Sequence, residues 1–483
     1  MTGAACLRHL TYTRAIRQLV SLDSRGACWN PPAPDRDAGC PANPPLSNPA
    51  LVSDRWYRFL CHTLSRAYYH RIALVDAANA RALDGAVLYV GLHRNGAVDG
   101  LVYKHLFPRA TFLISSQLTR SWFGRLFFTG IPVTRTKDRG DRSFNAASLE
   151  RCAGHLVAGN ALFVLPEGTS DLGPRHLPFK PGVSRILERA LTRGAAVTVV
   201  PVGIFYSCAE AFRSDITVVA GPPIAAELPA GLDPDERAAQ LLRRIADALE
   251  TLSVGADSPA ALVQLEQCAG VVGEEPGAVY YAALKTAERT PMPPEIAAEW
   301  RAIADDVTAG RVGTARGVPV VSRRGLAWNV GWLALQSVFV AAAALLNLPV
   351  LVGAWLAGRR LADARNTIAL WRLMAGAPLG TLWILFVAAT AVATGNAGYL
   401  VAYAALTTAG LMCYPELIAR WPRVRNHPRR RELGARIARV RTWLETAMHA
   451  PGTSAPRTTA QAVGGSQTTP RADAAAGVSH GHG

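Results

Sequence analysis

His93 and Asp99 are the residues best equipped for chemistry. An imidazole titrates near neutral pH, which makes it the usual general base. A carboxylate on its other nitrogen fixes the tautomer and stabilises the imidazolium that forms. Such a pair can take the proton from a hydroxyl as its oxygen attacks a thioester carbonyl. A second polar stretch, Leu165-Pro166-Glu167-Gly168-Thr169-Ser170, offers a carboxylate, a glycine that tolerates positive φ, and two hydroxyls. Free amides in such a turn can hold an anion. Arg135 ends the stretch Gly130-Ile131-Pro132-Val133-Thr134-Arg135, and Lys137, Arg139 and Arg142 follow it. Guanidinium groups bind phosphate through paired hydrogen bonds. Lys180, in Phe179-Lys180-Pro181-Gly182, is a further phosphate candidate, whereas the basic residues after Arg135 read individually as a solvated face.

These side chains must be held by the elements around them. His93 follows the apolar run Val87-Leu88-Tyr89-Val90, so it stands at the carboxyl end of a strand, where open α/β sheets place ligands. Six positions along an ideal helix turn through about 600°, which separates the two side chains. The Arg94-Asn95-Gly96 turn, leading into a helix, must therefore bring His93 and Asp99 together. The run Leu162-Phe163-Val164-Leu165 delivers Glu167 in the same way. Buried strands are expected at 86–91, 110–115, 161–165, 196–202 and 215–220, with helices at 145–158 and 182–193 between them. That alternation predicts an α/β layer fold, a sheet flanked by helices. Residues 234–255 and 259–310 read as mainly helical, and Trp56 to Tyr69 as an amphipathic helix suited to a membrane surface or to covering the next domain.

The chain has 483 residues and a net charge of +16, almost all from arginine, since its only lysines are Lys104, Lys137, Lys180 and Lys285. No zinc-finger spacing and no RNA-binding aromatic signature accompanies that charge, so nucleic acid is not the expected partner. The eight cysteines show no CxxC and no regular spacing, as expected of reduced thiols. The first 50 residues are interrupted by Arg8, Arg14 and Arg17 and then turn proline-rich, unlike a signal peptide.

Two uncharged runs point to a bilayer. The first covers 325–358, 34 residues, and the second 373–415, 43 residues. A spanning helix needs about 20 apolar residues, so the second run has room for two, turning at Gly395-Asn396-Ala397-Gly398. The first, with Asn347-Leu348-Pro349 near its middle, suggests a re-entrant hairpin or two minimal helices. Arginines precede the first run, surround the linker, and crowd 420–441, where there are nine. The positive-inside rule then wants all three segments in the cytoplasm, which two hairpins satisfy, with the site on the same side. The expected division is a poorly ordered 1–50, a catalytic domain at 51–255, a helical connector at 256–322, membrane segments at 323–420 with two to four full spans, a basic helix at 421–449 and a disordered tail at 450–483.

The four stretches around His93, Arg135, Glu167 and Val200-Pro201-Val202-Gly203, in that order, resemble the glycerolipid acyltransferase superfamily, which includes glycerol-3-phosphate and 1-acylglycerol-3-phosphate acyltransferases. Members typically carry His and Asp with four residues between; here five intervene. That spacing, the stretch from Pro166 through Val183, and Val202-Gly203-Ile204-Phe205-Tyr206 followed by Phe212-Arg213-Ser214 are similar to a subgroup resembling fungal glycerol-3-phosphate/dihydroxyacetone-phosphate acyltransferases. The resemblance covers residues 55–225. It implies His93 as base, Asp99 as its orienting partner, Arg135 on the acceptor's phosphate, Glu167, Gly168 and Thr169 shaping the acceptor site, and Pro201 in donor binding or folding. It implies acyl-CoA or acyl carrier protein as donor, a phosphorylated glycerol as acceptor, a lipid bilayer as surroundings, and no metal or redox cofactor. Acylation of a lysophospholipid or other lipid alcohol, thioester hydrolysis, and a non-catalytic lipid-binding protein are the competing expectations.

Overall fold

The computed structural model describes residues 53–450, apart from 82, 117, 119–121, 134–141 and 228–230. The expectations for residues 1–50, the tail beyond 450, and Arg135, Lys137 and Arg139 therefore fall outside the described residues.

Seven strands form the central sheet: β1 Arg71–Val75, β2 Ala86–Gly91, β3 Thr111–Ser115, β4 Ile131–Val133, β5 Ala161–Val164, β6 Val197–Tyr206 and β7 Asp215–Ala220. Their spatial order is β1-β7-β6-β2-β5-β3-β4. All neighbours run parallel except β6 and β7, which are antiparallel. Every residue of β2 and β5 is buried, as both faces of a helix-covered parallel sheet require. Strands β1 and β4 are additional to the expected set, being short, half-buried and, in β4, interrupted by Pro132. Strand β6 runs four residues past its expected end, because residues 203–206, beyond the parallel pairing with β2, continue the antiparallel ladder with β7.

Helices cover the sheet: α1 Asp54–Tyr68, α2 Ala97–Leu106, α3 Trp122–Phe127, α4 Arg142–Val157, α5 Gly182–Thr192 and α6 Pro234–Leu252. Helix α1 starts at an N-cap, Ser53, whose side chain accepts from the Trp56 amide, and it buries Tyr57, Cys61, Leu64 and Tyr68 at helical spacing. Its Trp56 and Phe59 remain exposed. Helix α6 opens with a capping box between Asp233 and Glu236 and has Pro234 at its start.

The connector consists of α7 Pro259–Ala269, α8 Ala278–Arg289 and α9 Pro294–Thr308. It forms a second core with α14 Arg430–His449, the expected basic helix, which buries Leu433, Val440 and Leu444 against Leu284 and Ile303. Between them lie α10 Arg323–Leu346, α11 Leu348–Arg360, α12 Arg365–Ala393 and α13 Gly398–Asn426. The first uncharged run forms two helices, one of 24 residues and one of 13. The break falls where Asn347 donates to Ala343 O and Thr407 Oγ1 and accepts from Tyr403 OH, with Pro349 in the first turn of α11. Among the described residues, three helices are long and apolar enough to cross a membrane: α10, α12 and the continuous stretch beginning with α13. At about 1.5 Å per residue, α11 reaches only about 20 Å, less than the thickness of a hydrocarbon core.

Candidate active site

Adjacent parallel strands bring the site together. Val90 of β2 pairs with Val164 of β5, so three residues further on His93 lies beside Glu167. The Glu167 carboxylate is buried and bridges two loops: Oε1 accepts from the His93 amide at 2.7 Å and Oε2 from the Leu177 amide at 2.9 Å. Burial raises its pKa, and those two amides oppose the rise. Glu167 therefore holds the backbone that carries His93. The sequence spacing contains no sign of this bridge, which depends on strand register.

The turn after β2 brings His93 to Asp99 as the spacing required. His93 Nδ1 lies 2.9 Å from Asp99 Oδ2. That same oxygen accepts from the amides of Arg94 and Asn95, each at 2.7 Å. Its partner Oδ1 accepts from Tyr206 OH at 2.5 Å. Asp99 is fully buried in the first turn of α2, where the helix dipole favours negative charge. An acceptor-only carboxylate makes Nδ1 the donor and leaves the Nε2 lone pair free for proton transfer. Among the described residues, Nε2 has no hydrogen-bond partner.

A further set of side chains braces this turn. Tyr103 OH donates to Leu92 O at 2.9 Å. Buried Asn95 donates to Tyr69 OH and Ala209 O. Gly96 has φ +58°, and a Cβ there would stand 2.8 Å from the carbonyl oxygen of Asn366. Asn366 belongs to the first turn of α12, and its Nδ2 donates to Ser170 O at 2.7 Å and Ser170 Oγ at 2.8 Å. Arg365 pairs with Glu210, and Arg372 donates to Glu210 O. Ala369, Leu373 and Met374 are buried in the sheet's core, while Leu382, Leu385 and Phe386 further along are exposed. One of the three apolar helices is thus seated, by its first turns, on the loops that carry His93 and Ser170.

Gly168 has φ +68°, and a Cβ there would lie 2.8 Å from Lys180 Nζ. The exposed Lys180 side chain crosses this turn, its amide bonded to Pro166 O at 2.8 Å. The structure thus brings together five of the expected residues, His93, Asp99, Glu167, Gly168 and, at the rim, Lys180. Thr169 lies half-buried in the same turn. Tyr206, Asn95, Asn366 and Ser170 are additional. Tyr206 stands within a stretch that carried the resemblance, but nothing local signals its bond to Asp99, 107 residues away. Among the described residues, no three His, Cys, Asp or Glu side chains come together in a metal-ligating group.

Next to the turn is a cavity of about 430 Å³ whose walls include Leu92, Arg94, Tyr206, Glu266, Tyr280 and Arg365. Burial pushes Glu266 up to about 7, with Arg94 acting against the rise.

Residues 71–205 match the family model described as Acyltransferase. The acyltransferase match runs from β1 into β6 and includes His93, Asp99 and Glu167. The chain is also similar to a solved structure, the 1-acyl-sn-glycerophosphate (LPA) acyltransferase PlsC from Thermotoga maritima, at 15% identity and a TM-score of 0.29, over 41% of this chain and 79% of that one. No curated protein matches the chain.

Proposed function

We propose that this protein is a membrane-bound O-acyltransferase that moves a fatty acyl group from acyl-CoA or acyl carrier protein to glycerol 3-phosphate or 1-acylglycerol 3-phosphate. The observation that carries this reading is the buried His93–Asp99 pair with Nε2 unengaged, within the acyltransferase match.

In this reaction Nε2 of His93 removes the proton of the acceptor hydroxyl as its oxygen attacks the thioester carbonyl. The C–S bond breaks, the ester forms, and the imidazolium returns its proton to the departing thiolate. Asp99 stabilises the imidazolium, and the four donors on its carboxylate keep it from turning away. No covalent acyl-enzyme is needed. Arg135 and Lys180 would hold the acceptor's phosphate. The apolar helices would lie in the bilayer with the arginine-rich segments and the site on the cytoplasmic side, so that an acyl-chain product leaves directly into the membrane.

Purified full-length protein given labelled acyl donor and a panel of acceptors tests this reading, with products identified by mass. The expected product is an acylated glycerol phosphate or its diacyl form. Free fatty acid alone would make the protein a thioesterase, and acylation confined to unphosphorylated alcohols would refute the phosphate assignment.

A further inference from the structure

A second cavity lies away from His93. It measures about 760 Å³ and sits at the seam of the sheet, the connector, α13 and α14. Its polar lining includes Arg71, Arg213, Ser214, Arg316, Arg423 and Arg441, together with the carboxylates of Asp215, Glu274, Glu275 and Glu416. Its apolar lining comes from Val318 and Val320 of the connector, Pro415, Ile418 and Ala419 of α13, and Ile437 of α14. Helix α13 begins one of the three stretches apolar enough to cross a membrane.

The polar lining has unmet bonding capacity. Ser214 is 8% exposed, yet its Oγ is buried without a hydrogen-bond partner, and so is Arg213 Nε. Buried polar atoms are nearly always bonded, so an orphaned donor and hydroxyl side by side point to a missing acceptor. Arg213 also has φ +60°, a conformation L side chains rarely adopt, held by its amide bond to Tyr68 O and by guanidinium bonds to Arg66 O and Tyr69 O. Strained backbone of this kind gathers at ligand clamps.

The charges favour an anion. Arg71 is paired with Glu275, Arg316 with Asp215, and Arg420 with Glu416. Arg423 and Arg441 share a single carboxylate, Glu274, at 4.0 and 3.7 Å. Arg213 has no carboxylate partner among the described residues. The lining therefore holds five arginines against four carboxylates, and the one positive charge left over matches a negative charge of a phosphate ester.

We infer that this cavity binds an anionic glycerophospholipid, its phosphate among Arg213, Ser214, Arg423 and Arg441 and its chains along the apolar lining of α13. The apolar lining favours a lipid over a free phosphate.

Full-length protein in detergent, titrated with phosphatidic acid, phosphatidylcholine or inorganic phosphate and followed by native mass spectrometry, tests the site. Phosphatidic acid is expected to bind about tenfold more tightly than phosphatidylcholine. The Arg423→Ala/Arg441→Ala double variant should bind phosphatidic acid about tenfold more weakly. Glu274→Gln, which frees both arginines from their shared carboxylate, should bind it several-fold more tightly and stands in should the double variant not fold. Equal binding by wild type and a folded double variant, or weaker binding by Glu274→Gln, would overturn the site. Inorganic phosphate binding as tightly as phosphatidic acid would overturn the lipid.

Discussion

Replacing Asp99 with asparagine isolates the charge beside His93 from the packing that holds it. The side chains have nearly the same shape, and the asparagine oxygen can take the place of Oδ2, which accepts from His93 Nδ1, Arg94 N and Asn95 N. Its amide would then replace Oδ1 and donate to the Tyr206 oxygen, so every neighbour keeps a partner. What disappears is the negative charge on the imidazolium that forms during transfer. With the Nδ1–Oδ2 distance at 2.9 Å, the charge centres are about 4 Å apart, and at an effective dielectric of 20 their attraction is about 4 kcal/mol. That corresponds to a roughly thousandfold fall in kcat. The assay is acyl transfer by the purified full-length chain, with melting temperature and circular dichroism as checks on the fold. KM for the donor should change little, since Asp99 is fully buried and out of reach of either substrate. A folded Asp99→Asn protein that keeps a third or more of wild-type kcat would refute the role of the carboxylate.

Other outcomes follow from the same geometry. Tyr206→Phe leaves Asp99 Oδ1 buried without a donor, and loss of this charge-assisted bond should lower kcat about tenfold with KM for the donor unchanged, measured in the same assay. Gly96→Ala requires positive φ from an alanine and sets its Cβ 2.8 Å from Asn366 O, so the first turn of α12 must shift; activity and melting temperature should fall together. Glu266 titrates at about 7 in the folded protein against an ordinary 4.5, so between those values the folded chain holds a proton that the unfolded chain has released. Its contribution to stability is complete below pH 4.5 and is lost as pH rises through about 7, a change on the order of 3 kcal/mol. Denaturant melts across that range should show Glu266→Gln losing less stability than wild type as pH rises; parallel curves would remove the assignment.

The sequence was informative where function depends on local geometry. A strand tip, a turn and a helix entrance account for the meeting of His93 and Asp99, and the rotation expected of a regular helix already required a turn between them. The α/β layers were visible in the buried runs of β2 and β5, whose residues are apolar because both faces of the sheet are covered. Long-range partners were not visible. Glu167 reaches the His93 amide only through the register of β2 and β5, and Tyr206 reaches Asp99 only because β6 continues along β7. Asn366 is a similar case: its helix reads as apolar and membrane-spanning, yet its first turn is bonded to Ser170 of the catalytic loop. Asn347 marks a break within an apolar run, but its partners on α13, Thr407 and Tyr403, lie too far along the chain to be legible from spacing.

The central claim is that an imidazole at the end of β2 drives acyl transfer. Its most direct test compares wild type with His93→Gln, each as folded full-length protein in lipid nanodiscs with labelled acyl donor and glycerol 3-phosphate or 1-acylglycerol 3-phosphate. The account predicts a labelled ester from the wild type and a fall of at least a thousandfold in its rate of formation by the variant. Ester formation by His93→Gln at close to the wild-type rate would contradict it.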